Sequence, residues 1–210
     1  METFAAADFR AILARMADLM AEQKDYLTEL DGVIGDGDLG LTMSKGFRAV
    51  ADAVAALDES DVGKLLGKAG MTMASTVPST MGTLMATGLM RAGKAAVGKT
   101  EVTLADLAAM LTDFVEGLIQ RGKAQPGDKT IIDALAPAAA ALRSAAESGR
   151  SLAEGWESAL AAARSGLEET KKMISQHGKA ACFQEKSLGQ QDPGATVGAF
   201  LIQAFAAQAQ

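Results

Sequence analysis

Asp31, Asp36 and Asp38 put three carboxylates within eight residues, in the run Leu30-Asp31-Gly32-Val33-Ile34-Gly35-Asp36-Gly37-Asp38-Leu39-Gly40, which also holds four glycines. Like charges this close repel, and a folded loop carries that cost unless a cation neutralises them. Glycines allow close backbone approach, so such a loop can curl its acids toward one point. With only oxygen ligands on offer, the hard cations Mg²⁺ and Ca²⁺ are the natural partners. An EF-hand does not fit. Counting from Asp36, its twelfth position is Phe47, where a bidentate glutamate is required. Magnesium on a few carboxylates usually serves a phosphate ligand that completes its shell. The plain alternative is a solvated turn, since Asp and Gly are both turn residues. A turn, however, needs neither three acids nor four glycines.

Other segments carry weaker signals. Pro126-Gly127-Asp128-Lys129-Thr130 precedes a predicted helix and could serve an anion or simply cap that helix. It lacks the first glycine and the spacing of a P-loop. Ser187 to Ala195 could present backbone donors where the last helix begins, and Thr72 to Thr83 is rich in hydroxyls and small residues. His177, followed by Gly178, reads as a helix C-terminal cap. Cys182 reads as a buried small hydrophobe, with no activating base nearby in sequence.

These residues must be positioned by helices. The 210-residue chain is 49% apolar but only 4% aromatic, so its core is aliphatic and favours helix over sheet. Periodicity and caps divide it into eight helical segments: Ala5–Leu30, Leu41–Leu57, Asp61 to before Pro78, Ser79–Lys94, one capped by Thr103, Thr130–Ser148 with Pro137 as a potential kink, Ser151–Ser175, and one opened by Asp192-Pro193. No strand alternation is evident. A single helical domain over residues 1–210 is the simplest organisation. The net charge of −6 without a basic patch argues against nucleic acid. No signal peptide or membrane span is apparent, so a cytoplasmic protein is expected. One cysteine and one histidine exclude a disulfide framework and histidine- or cysteine-rich metal sites.

Three segments in this order resemble the L subunit, or nucleotide-binding domain, of dihydroxyacetone kinases. They are Leu30 to Asp38, Arg121-Gly122-Lys123-Ala124-Gln125-Pro126-Gly127-Asp128-Lys129-Thr130, and Ser187 to Ala195. The resemblance implies an all-α, eight-helix antiparallel barrel with a nucleotide site at one end. It implies that Asp31, Asp36 and Asp38 bind two Mg²⁺ ions bridging the phosphates of ADP or ATP. Leu39, Gly40, Leu41, Thr42, Thr80 and Met81 would then line the phosphate side. Gly122 and Ile131 would lie near base and sugar, while Lys179, Asp192, Pro193 and Gly194 would close the pocket. The implied partner is a substrate-binding K subunit that holds dihydroxyacetone. In one variant a phosphotransferase-system phosphocarrier recharges permanently bound ADP; in the other, free ATP exchanges. The resemblance leaves a homodimer open.

The sequence departs from the family pattern at three places. Leu39 stands where histidine or cysteine is common, Pro78-Ser79-Thr80-Met81-Gly82 replaces a Gly-Gly-Ala-Ser-Gly segment, and Lys179 replaces an arginine. Lysine keeps the charge but loses the bidentate fork. These changes suit a divergent member whose acceptor is dihydroxyacetone or another small ketose such as a tetrulose. The alternative is a non-catalytic nucleotide-binding module that docks on a regulator or partner protein.

Overall fold

Residues 2–210 are described in a computed structural model. The helices are α1 (Ala6–Glu22), α2 (Lys24–Ile34), α3 (Leu39–Ala55), α4 (Val62–Thr76), α5 (Thr80–Ala95), α6 (Leu104–Gly122), α7 (Ile132–Glu147), α8 (Leu152–Glu169) and α9 (Pro193–Gln208). Side-chain caps fix where several of them start. Asp61, Ser79, Thr103, Ser151 and Asp192 each accept a backbone N–H from the first turn that follows. Caps of this kind typically contribute about 1 kcal/mol each. Thr103 with Asp106, and Ser151 with Glu154, form reciprocal capping boxes.

Helices α1, α3, α4, α5, α6, α7, α8 and α9 pack each against the next, and α9 returns to α1, closing an antiparallel bundle. Phe9, Ile12, Leu13, Met16 and Met20 recur at helical spacing on α1 and are all buried. Phe205 of α9 stacks on Trp156 of α8 at 4.5 Å and meets Phe9 edge-on at 6.1 Å, joining three helices where the ring closes. The core is otherwise aliphatic, as the composition predicts.

Three features differ from the sequence expectation. The helix predicted over Ala5–Leu30 breaks at Gln23 (φ −92°, ψ 8°), and α2 leaves the ring to lie along α3. The apolar stripe lapses at Glu22-Gln23-Lys24-Asp25, so nothing holds that stretch against the core. The helix predicted to reach Ser175 ends at Glu169. There the buried Thr170 hydroxyl donates to Leu167 O and accepts the N–H of Asp192, pinning the end of α8 to the start of α9. Lastly, Thr3–Ala5 (β1) and Glu101–Thr103 (β2) pair antiparallel. Three residues per strand are too few for alternation to be read from sequence. Pro137 lies within α7, which runs unbroken from Ile132 to Glu147. Among the described residues no helix is long and apolar enough to cross a membrane.

Small residues let α4 and α5 approach backbone to backbone. A Cβ on Gly63 would lie 2.4 Å from Val97 N and 2.5 Å from Gly93 O, whereas one on Gly67 would meet nothing within 4 Å. Gly63→Ala is therefore expected to destabilise the protein by about 1–3 kcal/mol through overpacking. Gly67→Ala, one turn on, is expected to stabilise it by about 0.5–1 kcal/mol through helix propensity. Urea unfolding of the two variants checks the opposite signs.

Candidate functional site

The acidic run is built at the junction of α2 and α3. Helix α2 continues through Asp31 to Ile34, so the connecting loop is only residues 35–38. Asp31 thus sits in the last turn of α2, where the helix dipole opposes a negative charge. Gly35 is required by close approach, because a Cβ there would fall 2.1 Å from Asp31 Oδ1. Gly37 adopts φ +74°, a left-handed conformation that side chains disfavour. Together they fold the loop back, so that one carboxylate oxygen from each of Asp31, Asp36 and Asp38 lies within 4.8 Å of the others. Burial raises the Asp31 pKa, the Leu39 N–H bonded to its Oδ2 at 3.3 Å opposes that, and repulsion from Asp36 and Asp38 raises it further. Lys179 Nζ pairs with Asp36 Oδ2 across the opening, and this pairing raises the lysine pKa. An all-carboxylate donor set so close together fits a hard divalent cation.

The three acids edge a cleft of about 540 Å³ whose lining includes Leu39, Thr80, Met81, Ile131, Lys179, Asp192, Pro193 and Gly194. That size suits a small-molecule ligand. The cleft is bordered by the N-terminal ends of α3, α5, α7 and α9. Alternate helices of an antiparallel ring start at the same end, so four positive dipole ends converge here. Gly40, Leu41, Thr42 and Gly122 are not part of this lining. Gly40 is filled from behind, since a Cβ there would meet Lys24 O at 2.0 Å, and Leu41 is 61% exposed. Thr42 is buried in the first turn of α3. Gly122 ends α6, touching the cleft only through Leu84, which a Cβ on Gly122 would meet at 3.4 Å. A separate void of about 60 Å³ in the bundle interior is walled by apolar side chains such as Phe9, Leu107 and Trp156 and offers nothing to a phosphate.

Two sequence expectations for single residues are corrected. His177 caps no helix, because α8 has already ended; its Nε2 pairs with Asp128 Oδ2 at 2.9 Å. Cys182 is exposed, in a 3-10 segment (Lys179–Ser187) that has no apolar face to bury it. The structure also brings in polar residues that the sequence reading left without a role. Asp133, buried in α7, accepts the N–H groups of Gly127 (2.6 Å) and Thr130 (2.7 Å) and so shapes the loop before α7. Its position three residues after Thr130 was the available signal. Lys129 is 2% exposed beneath the cleft, and burial lowers its pKa.

Asp192 caps α9 by accepting Ala195 N–H at 2.6 Å, and burial pushes its pKa up to about 7, against the opposing pull of that bond and of the Lys129 ammonium. A carboxyl that holds its proton more tightly when folded adds stability that is fully present below the ordinary value of 3.8 and lost as pH rises through about 7. Wild-type protein should therefore lose melting temperature between pH 5.5 and pH 8 relative to Asp192→Asn, which keeps the capping oxygen but does not titrate. Thermal melts of the pair at the two pH values check this, and equal pH dependence would contradict it.

The sequence pattern of the DAK2 domain matches residues 33–207. The chain is 38% identical over 198 residues to the PEP-dependent dihydroxyacetone kinase ADP-binding subunit DhaL of Escherichia coli K12, covering 94% of each protein. It is 32% identical over 199 residues to an L-erythrulose kinase of Pectobacterium atrosepticum, covering 94% of this chain and 34% of that one. Among solved structures, the dihydroxyacetone kinase of C. freundii in complex with AMP-PNP and Mg²⁺ superposes with a TM-score of 0.70 at 27% identity, over 97% of this chain and 33% of the other. The chain thus spans about a third of these longer proteins and nearly the whole of the E. coli subunit. With the acid triad, the bundle and the matched residues in agreement, the chain belongs to the DAK2 domain family, among the ADP-binding subunits of dihydroxyacetone kinases.

Proposed function

We propose that residues 1–210 act as one helical domain that binds ADP and Mg²⁺ and passes a phosphoryl group to dihydroxyacetone or a similar small ketose held by a separate K subunit. The observation that carries this reading is the convergence of three carboxylates within 4.8 Å on a cleft bordered by four helix N-termini. Acids alone would repel a nucleotide, and helix termini alone would take any anion. The combination selects an anion that brings its own divalent cations. The end-to-end match to a PEP-dependent ADP-binding subunit supports retained ADP, recharged by a phosphotransferase-system protein, over exchange of free ATP.

In this reading Asp31, Asp36 and Asp38 hold the magnesium, two ions by analogy with the family. Magnesium would supply charge neutralisation on the transferring phosphoryl group. The protein's own groups position and screen. The free amides of Thr80 and Met81 at the start of α5 cradle phosphate oxygens, with the Thr80 hydroxyl as a further donor and the positive dipole ends of α3, α7 and α9 beside them. Lys179, paired with Asp36 when the acids have no other partner, swings to the phosphates once they do. Ile131, Pro193 and Gly194 pack against the nucleoside. No side chain of the cleft is needed as a base, because phosphoryl transfer depends chiefly on alignment and electrostatics. The tetrulose kinase among the relatives widens the acceptor class to four-carbon ketoses, a choice that rests with the K subunit.

Calorimetric titration of nucleotide-stripped protein with ADP, with and without Mg²⁺, tests the site. Wild type should bind only with Mg²⁺, and Asp36→Asn should weaken binding at least about 100-fold, on the order of 3 kcal/mol. Magnesium-independent binding, or an indifferent Asp36→Asn, would sink the assignment. Transfer is tested by adding a K subunit, a recharging phosphocarrier and ketose. Tight binding without turnover would instead favour a module that docks on a regulator, the reading suggested by the altered Pro78–Gly82 segment.

A further inference from the structure

Between α8 and α9 the chain forms a strap rather than a helix. It passes through 3-10 turns at Thr170–Lys172 and Lys179–Ser187 and through a left-handed bend at Gln184 (φ +47°). Most of its side chains are half-buried or exposed, so apolar burial holds it only weakly. Its middle, residues 177–180, nevertheless forms one wall of the cleft and carries Lys179 to Asp36.

One side chain joins the two feet of this strap. Lys129 Nζ donates to Met173 O at 3.2 Å on the incoming foot, and to Ser187 O at 2.6 Å and Gln190 O at 2.7 Å on the outgoing foot. An ammonium has three N–H groups, and all three are used. In sequence, the segment Pro126 to Thr130, with Lys129 inside it, could serve an anion or cap the next helix. In the structure that lysine has no donor left to give. Its own backbone sits at φ +60° between Gly127 and Thr130, whose N–H groups are both fixed by Asp133, so the donor is held on a rigid base. A lesser tether runs alongside, from Gln176 N–H to Asp128 O at 3.1 Å and from His177 to the Asp128 carboxylate.

We infer that Lys129 is a positioning residue that clamps the 173–190 strap shut through these three carbonyls and thereby sets how long a bound nucleoside diphosphate stays in the cleft. The inference rests on the nucleotide reading above for its residence-time half and on the strap geometry for the rest. Without the ammonium, three carbonyls lose their donor, the one at buried Ser187 with no water to replace it, and the strap gains by opening to water. Opening withdraws residues 177–180 and removes one wall of the cleft. A subunit that keeps its ADP through many recharging cycles needs such a clamp, whereas one that exchanges nucleotide each cycle does not.

The test uses the full chain and two readouts. Hydrogen exchange by mass spectrometry is measured on nucleotide-free wild type and Lys129→Met, and chase-out of a fluorescent ADP analogue is measured with Mg²⁺. The variant should exchange at least tenfold faster across 173–190 with α4 to α6 unchanged, and should release the analogue at least tenfold faster. Lys129→Arg, which keeps a cation and donors, should recover most of the slow release, a rescue that a mere packing role does not predict. Should Lys129→Met not fold, Lys129→Gln carries the same comparison. Unchanged exchange in the strap, or faster exchange spread over the whole bundle, overturns the clamp. A strap that opens without faster release overturns the control of residence time. Failure of wild type to take up the analogue defeats the nucleotide reading and the residence-time half with it, while the exchange data still decide whether Lys129 holds the strap.

Discussion

The mutual repulsion of Asp31, Asp36 and Asp38 is the constraint around which the cleft end of this bundle is arranged. Three carboxylate oxygens within 4.8 Å are stable together only with positive charge nearby. The fold supplies part of it through Lys179 and the N-terminal end of α3, and in the proposed reading a divalent cation supplies the rest. The cost is raised further by placing Asp31 at the C-terminal end of α2, where the dipole is unfavourable. A loop that is poor for the protein alone is suited to a ligand that brings divalent cations. Its glycines are part of the same arrangement, because only a loop with room at Gly35 and left-handed freedom at Gly37 turns its acids inward.

The antiparallel ring turns this local feature into a site. Antiparallel packing around the ring puts the starts of α3, α5, α7 and α9 at one end, and each start contributes a positive dipole end worth about 0.3–1 kcal/mol toward an anion. Close packing keeps those starts in register. The glycine contact between α4 and α5 and the Trp156–Phe205–Phe9 cluster at the ring closure leave little room for helices to slide. Rigid helices thus hold one half of the cleft, and a weakly buried strap forms the other.

Charges below the cleft obey a different rule from those at its mouth. Asp133, Asp192 and Lys129 are buried, and each has hydrogen-bond partners, as burial of a polar group demands. Asp133 organises the loop before α7, Asp192 starts α9, and Lys129 gathers the strap. The acids at the mouth are only partly satisfied. That contrast separates groups that build the scaffold from groups left open at the cleft.

The sequence by itself determined the helical class, most helix limits and the metal-type loop. These are local: apolar spacing on α1, capping residues at Asp61, Ser79, Thr103, Ser151 and Asp192, and three acids among glycines are readable without knowing what lies across the fold. Resemblance to a family extended this to Thr80, Met81, Ile131, Lys179 and Asp192 to Gly194, which the structure places along one cleft. Gly40, Leu41, Thr42 and Gly122 lie off its lining, because the turn of α3 and the end of α6 point them elsewhere. The early end of α8 at Thr170, the β1–β2 pairing, the His177–Asp128 pair and the use of Lys129 were decided only by tertiary structure. Each depends on a partner distant in sequence, such as Asp192 for Thr170 or Ser187 for Lys129. A hydrogen bond across some sixty residues leaves no periodic trace in the chain that forms it.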